Sequence, residues 1–393
     1  MKYLTLAKVN IDNQKVLLRT DLNVPMRDGK ITDESRIIAA LPTIKYILEN
    51  NAGLIIMSHL GRPKEGEADP ELSLAPVATL LAEKLGREVR LVSDAYQQIE
   101  LQPGEVVMLE NVRFNEGESE NSPQLAQAYA ALCDVFVMDA FATAHRAQAS
   151  TAGVAEYAPI ACAGPLLNHE LQAIHKATTL PEKPVVAIVG GSKVSTKLKV
   201  LQNLLSIVDV LITGGGIANT LLLAQGRDVG ASLVEKDQLD VATTILKSAA
   251  EKNVSMPLPT DVVVADSFAE DSPHRSCTLD AVQSNEMILD IGQQSCADYK
   301  KYIITAGTIL WNGPVGVFEW PAFETGTAEI GAAIASSSGF SVAGGGDTLA
   351  AINKFHLAEN IDFCSTGGGA FLECLEGETL PAVQVLINRA ESA

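Results

Sequence analysis

Arginine, aspartate and histidine side chains follow two apolar runs near the start of the chain. The segment VLLRTDLNVP places Arg19, Asp21 and Asn23 at alternate positions, which share one face where a chain is extended. The segment SHLGRP has His59 and Arg62 on either side of a glycine turn. Because arginine binds carboxylate and phosphate through a planar fork of N–H donors, these residues predict a site for an anion. A purely structural pair between Arg19 and Asp21 is the alternative that remains open here.

Two further segments repeat this arrangement. ENVRF places Arg113 after one apolar run, and MDAFATAHR places Arg146 after another. A single arginine at such a position is most often a solvated surface charge. In parallel α/β sheets, however, ligands bind beyond the carboxyl ends of the strands. Four strand ends that carry basic residues therefore favour a site for a small, multiply charged anion.

The second half of the chain is rich in glycine instead. GGSKVSTK resembles a phosphate-binding P-loop, but Ser195 stands where the second glycine is required. In GGGIAN, Asn219 replaces the third glycine of the dinucleotide fingerprint. Glycine turns that open helices still offer backbone N–H groups to phosphate. On a helix entered near Ser192, Lys193 and Lys197 would share one face and reach a phosphate chain, although an ordinary surface pair is the alternative.

Two later loops point to a nucleotide with a metal ion. WNGPVGVFEW contains Glu319 and both tryptophans of the chain, and AGGGDTLAA places Asp347 and Thr348 at the start of a predicted helix. Asp347 is either the cap of that helix or a ligand for Mg²⁺, which proteins hold through one or two carboxylates and substrate phosphates. STGGGA adds another turn before a helix. The sequence favours a bound nucleotide with Mg²⁺.

Strands must position these segments, and short continuous apolar runs predict where the strands lie. Such runs are typical of strands that are buried on both faces of a parallel sheet. The predicted strands are 15–20, 54–58, 89–92, 106–109 and 135–138, then 185–189, 210–213, 262–265, 308–311, 340–343 and 362–365. Amphipathic stretches at 33–49 and 237–252 predict helices. The predicted fold is α/β, with two doubly wound parallel-sheet domains joined by a helix at 168–178 and an active-site cleft between them.

Length and charge limit the classes of function. A chain of 393 residues predicts two domains, since a domain typically has about 100 to 200. The formal net charge of −19 disfavours nucleic acid and anionic membranes as partners, but eight of the eleven arginines precede Asn168, so small anions are not excluded. The lack of a long apolar run or a secretory signal predicts a cytoplasmic protein. Six dispersed cysteines without a CxxC motif predict small buried thiols.

From these features alone, two classes of function remain open. The first is a phosphotransferase that acts on an anionic metabolite. The second is a two-domain binding protein for small molecules that performs no chemistry. Lysine, arginine and a magnesium-type carboxylate would be superfluous in a binding protein, and its usual periplasmic form would carry an export signal.

Eight segments, in order and across essentially the whole chain, resemble the phosphoglycerate kinase family. They are VLLRTDLNVP, SHLGRP, ENVRF, DAFATAHR, GGSKVSTK, WNGPVGVFEW, GGGDT and STGGGA. Ala142 and Ser192 stand where relatives often carry glycine and alanine, and neither supplies a reacting group. The resemblance implies reversible, ATP-dependent phosphoryl transfer, with Mg²⁺, to the carboxylate of 3-phosphoglycerate. The products would be 1,3-bisphosphoglycerate and ADP, and the enzyme would be a monomer.

The resemblance also implies roles for individual residues. The residues expected to bind phosphoglycerate are Asp21, Leu22, Asn23, Arg36, His59, Leu60, Gly61, Arg62, Arg113 and Arg146. The residues expected to bind the nucleotide are Lys193, Lys197, Asn312, Glu319, Gly345, Gly346, Asp347 and Thr348, with Asp347 as the ligand for Mg²⁺. The expected catalytic residues are Arg36, Lys197, Gly346 and Gly369. No general base is required, because a carboxylate is already ionised at neutral pH.

The domain organisation follows from the same reasoning. Residues 1–168 are expected to bind phosphoglycerate and residues 183–374 the nucleotide, with 169–182 as the connecting helix and linker. The resemblance implies that 375–393 return to the first domain. The two domains are expected to close around their substrates and exclude water that would otherwise hydrolyse ATP.

Overall fold

The computed structural model describes residues 2–93 and 99–391. The chain forms two compact units. Unit 1 comprises Met1–Leu171 and Thr379–Ala393, and unit 2 comprises Gln172–Glu378. The first boundary lies inside the helix Pro165–Thr178. The end of the chain belongs to unit 1, where Arg389 donates hydrogen bonds to three backbone carbonyls, those of Glu156, Ala158 and Pro159.

Sixteen strands lie in the residues that the structure describes. Those of unit 1 are β1 (Lys15–Thr20), β2 (Met26–Arg27), β3 (Lys30–Ile31), β4 (Gly53–Met57), β5 (Arg90–Val92), β6 (Val106–Leu109), β7 (Val135–Asp139) and β8 (Ile160–Ala163). Those of unit 2 are β9 (Val185–Gly190), β10 (Val210–Gly214), β11 (Asp261–Ala265), β12 (His274–Thr278), β13 (Met287–Ile291), β14 (Thr308–Asn312), β15 (Phe340–Gly344) and β16 (Phe363–Ser365).

Six strands of unit 1 form one parallel sheet in the order β5-β6-β4-β1-β7-β8. The strand β1 is central, and its Leu17 is in register with Ile55 of β4 and Phe136 of β7. All five residues of β4 are buried, as expected for an apolar strand covered on both faces. The short strands β2 and β3 pair as a hairpin whose turn residues, Asp28 and Gly29, have positive φ angles.

Five strands of unit 2 form a second parallel sheet in the order β10-β9-β14-β15-β16. The other three form a separate antiparallel sheet in the order β12-β11-β13. The expectation that 262–265 belongs to the parallel sheet is therefore wrong, although the strand itself exists as β11. Its neighbour β12 (HRSCT) is polar and mostly exposed, so no apolar run marked it in the sequence.

Thirteen α-helices occur in the described part of the chain. They are α1 (Ser35–Glu49), α2 (Ala75–Leu85), α3 (Pro123–Ala130), α4 (Val154–Tyr157), α5 (Pro165–Thr178), α6 (Leu198–Leu204), α7 (Gly215–Ala224), α8 (Leu239–Glu251), α9 (Gln293–Ile304), α10 (Thr325–Ser336), α11 (Gly346–Lys354), α12 (Gly368–Leu375) and α13 (Pro381–Glu391). A π-helical turn, Ala149–Gly153, precedes α4. The predicted α/β class, with a parallel sheet in each unit, is confirmed.

Each unit has its own apolar core. Leu18 of β1 and Met108 of β6 lie in the core of unit 1, and Trp311 of β14 lies in that of unit 2. None of the six cysteines forms a disulfide. The prediction of buried thiols holds for Cys133, Cys162 and Cys296 but not for Cys277, Cys364 and Cys374, which are partly exposed. Within 2–93 and 99–391, no helix is both long enough and apolar enough to span a bilayer.

Candidate functional site

The polar and charged candidate residues of unit 1 follow four strands that are direct neighbours, β6-β4-β1-β7. Because the carboxyl ends of parallel strands lie at one edge of a sheet, this order gathers the segments that follow them. We call these residues, together with Arg36, the basic cluster: Asp21, Asn23, Arg36, His59, Arg62, Arg113 and Arg146.

Arg36 is tied to the segment that follows β1. It lies in the first turn of α1, and 38% of its side chain is exposed. Its Nη1 lies 2.9 Å from Asp21 Oδ2 and donates a 2.9 Å hydrogen bond to the Asn23 carbonyl. Asn23 Oδ1 in turn accepts the Gly61 N–H at 2.9 Å. Asp21 therefore pairs with Arg36, which overturns the alternative of a structural Arg19–Asp21 pair.

Arg19 lies in the interior beneath these residues. Its guanidinium is fully buried and donates to Ser150 Oγ at 3.1 Å and to the Thr20 carbonyl at 2.7 Å, and its Nη2 lies 3.3 Å from His59 Nδ1. Burial lowers the pKa of Arg19, and the Glu118 carboxylate acts in the opposite direction. With no exposed surface, Arg19 fixes its neighbours and does not itself contact a ligand.

The electrostatic field at His59 is strongly positive. Burial holds the pKa of His59 well below its usual range, and Arg19, Arg113, Arg36 and Arg146 lower it further. Burial, followed by repulsion from Arg146 and Arg19, also lowers the pKa of Arg113 to about 10. A bound anion would relieve this repulsion, because it supplies the negative charge that the cluster lacks.

The remaining residues expected at this site differ in what they can offer. The side chains of Leu22 and Leu60 pack in the apolar core, so only their backbone groups could contact a ligand. Gly61 adopts a φ of 60° and its carbonyl accepts a 2.5 Å hydrogen bond from Arg113. The side chain of Arg62 is exposed and therefore accessible.

Unit 2 contains a cavity of about 410 Å³, which is within the range of small-molecule sites. We call it the unit 2 cavity. Its lining includes a glycine after β9 (Gly191), apolar side chains (Leu233, Leu289) and two carboxylates (Glu319, Asp347). Apolar walls suit a nucleobase, and glycine turns let phosphate oxygens approach backbone N–H groups.

Lys197 is held in place by Asn312. Its Nζ donates to Asn312 Oδ1, and Asn312 Nδ2 donates to the Gly344 carbonyl at 2.6 Å. Burial lowers the pKa of Lys197 to about 8, an effect that the nearby carboxylates of Asp347 and Glu376 oppose. Both ends of the buried Asn312 amide are thus engaged within the protein, and its oxygen is bonded to Lys197.

Lys193 and Lys197 do not share a helix face. The helix α6 begins only after Lys197, so both lysines lie in the preceding turn. The backbone N–H and hydroxyl of Ser195 bond to the Glu235 carboxylate at 2.8 and 2.6 Å, which stabilises the turn against a helix. The prediction of a helix entered near Ser192 is wrong for this reason. Lys193 is exposed.

The helices α11 and α12 begin with glycine. Gly345 is the N-cap of α11 with a φ of 101°, and a Cβ added to Gly346 would meet no atom within 4 Å. The first N–H groups of α11, like those of any helix, have no partner within the helix. Gly369 holds the second position of α12. Thr348 is buried and its hydroxyl bonds to Gly313 N and to a carbonyl of β15, which leaves only its backbone for a ligand.

Asp347 is not the cap of α11, since Gly345 occupies that position. Its side chain is exposed at the unit 2 cavity, and within the described residues it accepts no hydrogen bond. A carboxylate that is not engaged, next to turns suited to phosphate, fits the donor set that Mg²⁺ requires when the substrate supplies the other oxygens.

Known proteins resemble this chain over its full length. A family model described as "Phosphoglycerate kinase" matches residues 6–378. Curated phosphoglycerate kinases of Coxiella burnetii and Legionella pneumophila (strain Corby) are each 55% identical, over 98% and 100% of this chain and 99% of each relative.

Two solved structures are also similar. The phosphoglycerate kinase of Coxiella burnetii superposes with a TM-score of 0.97 at 55% identity, covering 99% of this chain and 100% of that one. The enzyme of Pyrococcus horikoshii has a TM-score of 0.80 at 34% identity, covering 98% and 100%. Since sequence and fold agree over the whole length, the chain belongs to the phosphoglycerate kinase family.

Proposed function

We propose that the basic cluster of unit 1 holds 3-phosphoglycerate and that the unit 2 cavity holds the nucleotide. The protein, as a kinase of glycolysis, transfers the γ-phosphoryl group of ATP reversibly to the phosphoglycerate carboxylate. The observation that carries the assignment of sites is the concentration of guanidinium groups at one edge of the unit 1 sheet. Arg19, Arg36, Arg113 and Arg146 all act on His59, and a small ligand with two anionic groups would neutralise such a site.

The transfer is a direct in-line attack by a substrate carboxylate oxygen on the γ-phosphorus. The carboxylate needs no base, so the protein contributes positioning and neutralisation of charge. Arg36 supplies a guanidinium with 38% of its side chain exposed, and Lys197 supplies an ammonium held by Asn312. Backbone N–H groups at Gly346 and Gly369 complete the donors for the moving phosphoryl group.

Mg²⁺ would be held by Asp347 and would neutralise charge on the nucleotide phosphates. Glu319 also lines the unit 2 cavity and would accept a hydrogen bond from a sugar hydroxyl of the nucleotide. Lys193 is exposed and would contribute only a screened charge.

The two substrates have to meet for the transfer to occur. We expect a closing movement of the domains, 1–168 with 375–393 on one side and 183–374 on the other, about the segment 169–182. Closure would exclude water from the activated phosphate. Small-angle X-ray scattering with both ligands bound should show compaction, and no change in the radius of gyration would contradict the movement. The protein is further expected to be a cytoplasmic monomer.

A coupled assay tests the activity. The protein is mixed with ATP, Mg²⁺ and 3-phosphoglycerate, and glyceraldehyde-phosphate dehydrogenase with NADH consumes the product. NADH oxidation that depends on all three components is expected. Folded protein that binds both ligands but gives no oxidation would indicate a binding protein, and turnover only with another anionic acceptor would indicate a different phosphotransferase.

A further inference from the structure

The buried arginine beneath the basic cluster makes one contact that the proposed reaction does not explain. Arg19 Nη2 lies 3.3 Å from His59 Nδ1, while the other nitrogens of the guanidinium are engaged with Ser150 and Thr20. A guanidinium has only N–H donors and no acceptor. His59 Nδ1 must therefore be the acceptor of this hydrogen bond and cannot carry a proton.

The position of Arg19 is itself fixed by a second buried charge. Glu118 is fully buried, and its carboxylate accepts the Ser150 hydroxyl at 2.5 Å and the Ser150 backbone N–H at 3.0 Å. Ser150 Oγ accepts from Arg19 Nε at 3.1 Å. Arg19 is thus linked through Ser150 to a carboxylate of opposite charge. A buried charge pair of this kind costs free energy of desolvation, which the hydrogen bonds through Ser150 partly offset.

An imidazole whose Nδ1 is an acceptor carries its proton on Nε2 when it is neutral. A second proton would have to go to Nδ1, directly against the Arg19 N–H. Burial and the charges of Arg19, Arg113, Arg36 and Arg146 all disfavour the cation as well. Among the described residues none hydrogen-bonds His59 Nε2, and this atom is not one of the buried unpaired ones, so its N–H is available to a ligand.

We infer that Arg19 is a positioning residue that locks His59 as the neutral Nε2–H tautomer, so that His59 is a hydrogen-bond donor to an anionic oxygen of bound phosphoglycerate. The assignment of the ligand rests on the proposed function, whereas the tautomer does not. Locking removes the other tautomer, which would present a lone pair to the anion and repel it.

The tautomer can be measured on the unliganded, full-length protein. Long-range ¹H–¹⁵N spectra of protein labelled at histidine, recorded from pH 8 to pH 5.5, report the protonation of each ring nitrogen, and His59→Gln identifies the His59 signals. We expect an unprotonated Nδ1 and a protonated Nε2 at every pH. A proton on Nδ1, or an imidazolium at neutral pH, would overturn the inference whether or not the protein is active.

The role of Arg19 is tested with paired variants. Arg19→Met with Glu118→Gln removes both buried charges together, and the His59 signals should then show a mixture of tautomers and a titration nearer the usual pH range. The ammonium of lysine, like a guanidinium, has only N–H donors, so Arg19→Lys should keep the Nε2–H tautomer. If the double variant folds and retains a pure Nε2–H form that does not titrate, Arg19 is not the lock. If it does not fold, Arg19→Gln takes its place, because a glutamine amide can accept from Nδ1–H as well as donate to Nδ1. A pure Nε2–H form that does not titrate in Arg19→Gln leads to the same conclusion.

The consequence for binding is tested at His59 itself. Glutamine places an amide nitrogen near the position of Nε2, whereas asparagine places it near Nδ1. We expect His59→Asn to raise KM for 3-phosphoglycerate at least tenfold and His59→Gln to raise it no more than about threefold, with KM for ATP unchanged in both. Equal KM values for 3-phosphoglycerate in the two variants would contradict donation from Nε2.

Discussion

The two units each contain a parallel sheet but offer different chemical groups at their candidate anion sites. In each, the candidate residues follow the carboxyl ends of neighbouring parallel strands. Unit 1 supplies side-chain guanidinium groups, whereas unit 2 supplies glycine turns, helix N-termini and one half-buried lysine. A net charge of −19 therefore says little about small ligands, because local donors and not the total charge determine what binds.

The glycines of unit 2 serve two distinct purposes. A Cβ added to Gly190 would lie 1.7 Å from the Pro314 carbonyl oxygen, and one added to Gly216 would lie 2.1 Å from the Ser192 carbonyl oxygen. These glycines let loops of the protein pack against one another. Gly346 meets nothing within 4 Å. Only glycines of the second kind leave room for a ligand, and sequence alone does not distinguish the two.

If unit 1 acts through guanidinium groups, loss of Arg36 should have the largest effect. We expect Arg36→Ala to lower kcat by about 10²- to 10³-fold, the usual result of removing one donor to a developing charge. KM for ATP should stay within about threefold of the wild-type value, because the proposed nucleotide site is in unit 2. Steady-state kinetics with each substrate varied measure both quantities.

The matched control for this variant is Arg27→Ala. Arg27 is another arginine of unit 1, but its side chain is 85% exposed. Its ion pair with the exposed Asp28 is long, at 3.9 Å. The variant Arg27→Ala should leave kcat unchanged. Arg36→Lys keeps the charge without the planar fork and should recover only part of the rate. An unchanged kcat in Arg36→Ala would remove Arg36 from the transition state.

The contrast between Arg36 and the strands shows what could be read from the sequence. Continuous apolar runs predicted both ends of β1 and of β6 correctly, because such a run is visible within a few neighbouring residues of the sequence. The pairing of Arg36 with Asp21 joins positions 15 residues apart, so no pattern revealed it and only the family resemblance assigned the residue. One local signal could have pointed to Arg36. A cation in the first turn of a helix is unfavourable next to the helix dipole, so its presence there favours a nearby anion.

Errors in unit 2 had a similar origin. The start of α6 was placed too early because the helical spacing of two lysines gives no indication that Glu235 holds the turn. The antiparallel sheet was missed because β12 buries almost nothing. Both features depend on contacts between segments that are distant in sequence, and these contacts override local preference.

For unit 2, the strongest expected effect concerns the charge of Lys197. With a pKa of about 8, Lys197 is mostly protonated at pH 7 and loses its charge as the pH rises through 8. We expect kcat/KM for ATP to fall on the alkaline side by up to about tenfold between pH 7 and pH 9. In Lys197→Arg the cation persists at these pH values, so the profile should be flat over the same range.

Two comparisons decide whether Lys197 is responsible. Lys193→Ala, which changes the exposed lysine of the same turn, should keep the wild-type profile. The coupling enzymes are kept in excess at each pH so that only the kinase limits the rate. An alkaline decline that survives in Lys197→Arg would assign the titration to another group.

A smaller effect is expected at the two glycines that open α11. Gly346→Ala should raise KM for ATP several-fold without lowering Tm, because the added methyl group meets no protein atom within 4 Å but would crowd a phosphate bound to the N–H groups at the start of α11. Gly345→Ala should lower Tm, since φ is 101° and the new Cβ would lie 2.8 Å from Asn312 Nδ2. Thermal unfolding and kinetics of both variants separate the two effects. An unchanged KM in Gly346→Ala would show that these N–H groups do not bind phosphate.

The smallest effect on turnover, and a clear one on stability, is expected at a buried carboxylate found in each unit. Asp139 accepts the Leu167 N–H at 3.0 Å near the start of α5, and Asp290 accepts the Gly326 N–H at 2.7 Å in the first turn of α10. Burial raises the pKa of Asp139 to about 6 and that of Asp290 to about 7. The folded forms therefore hold a proton that the unfolded chain has released, and this contribution to stability is lost as pH rises from about 4 to about 7.

The carboxylate of unit 2 can be followed by itself, because both tryptophans, Trp311 and Trp320, lie in that unit. We expect the stability of wild type relative to Asp290→Asn, followed by tryptophan fluorescence in urea, to fall by up to about 1.4 kcal/mol per pH unit between pH 5 and 7. Asp139→Asn should leave the unit 2 transition unchanged, if the units unfold independently. A pH-independent difference for Asp290→Asn would mean that Asp290 is ionised in the folded protein, and a shift caused by Asp139→Asn would mean that the units unfold together.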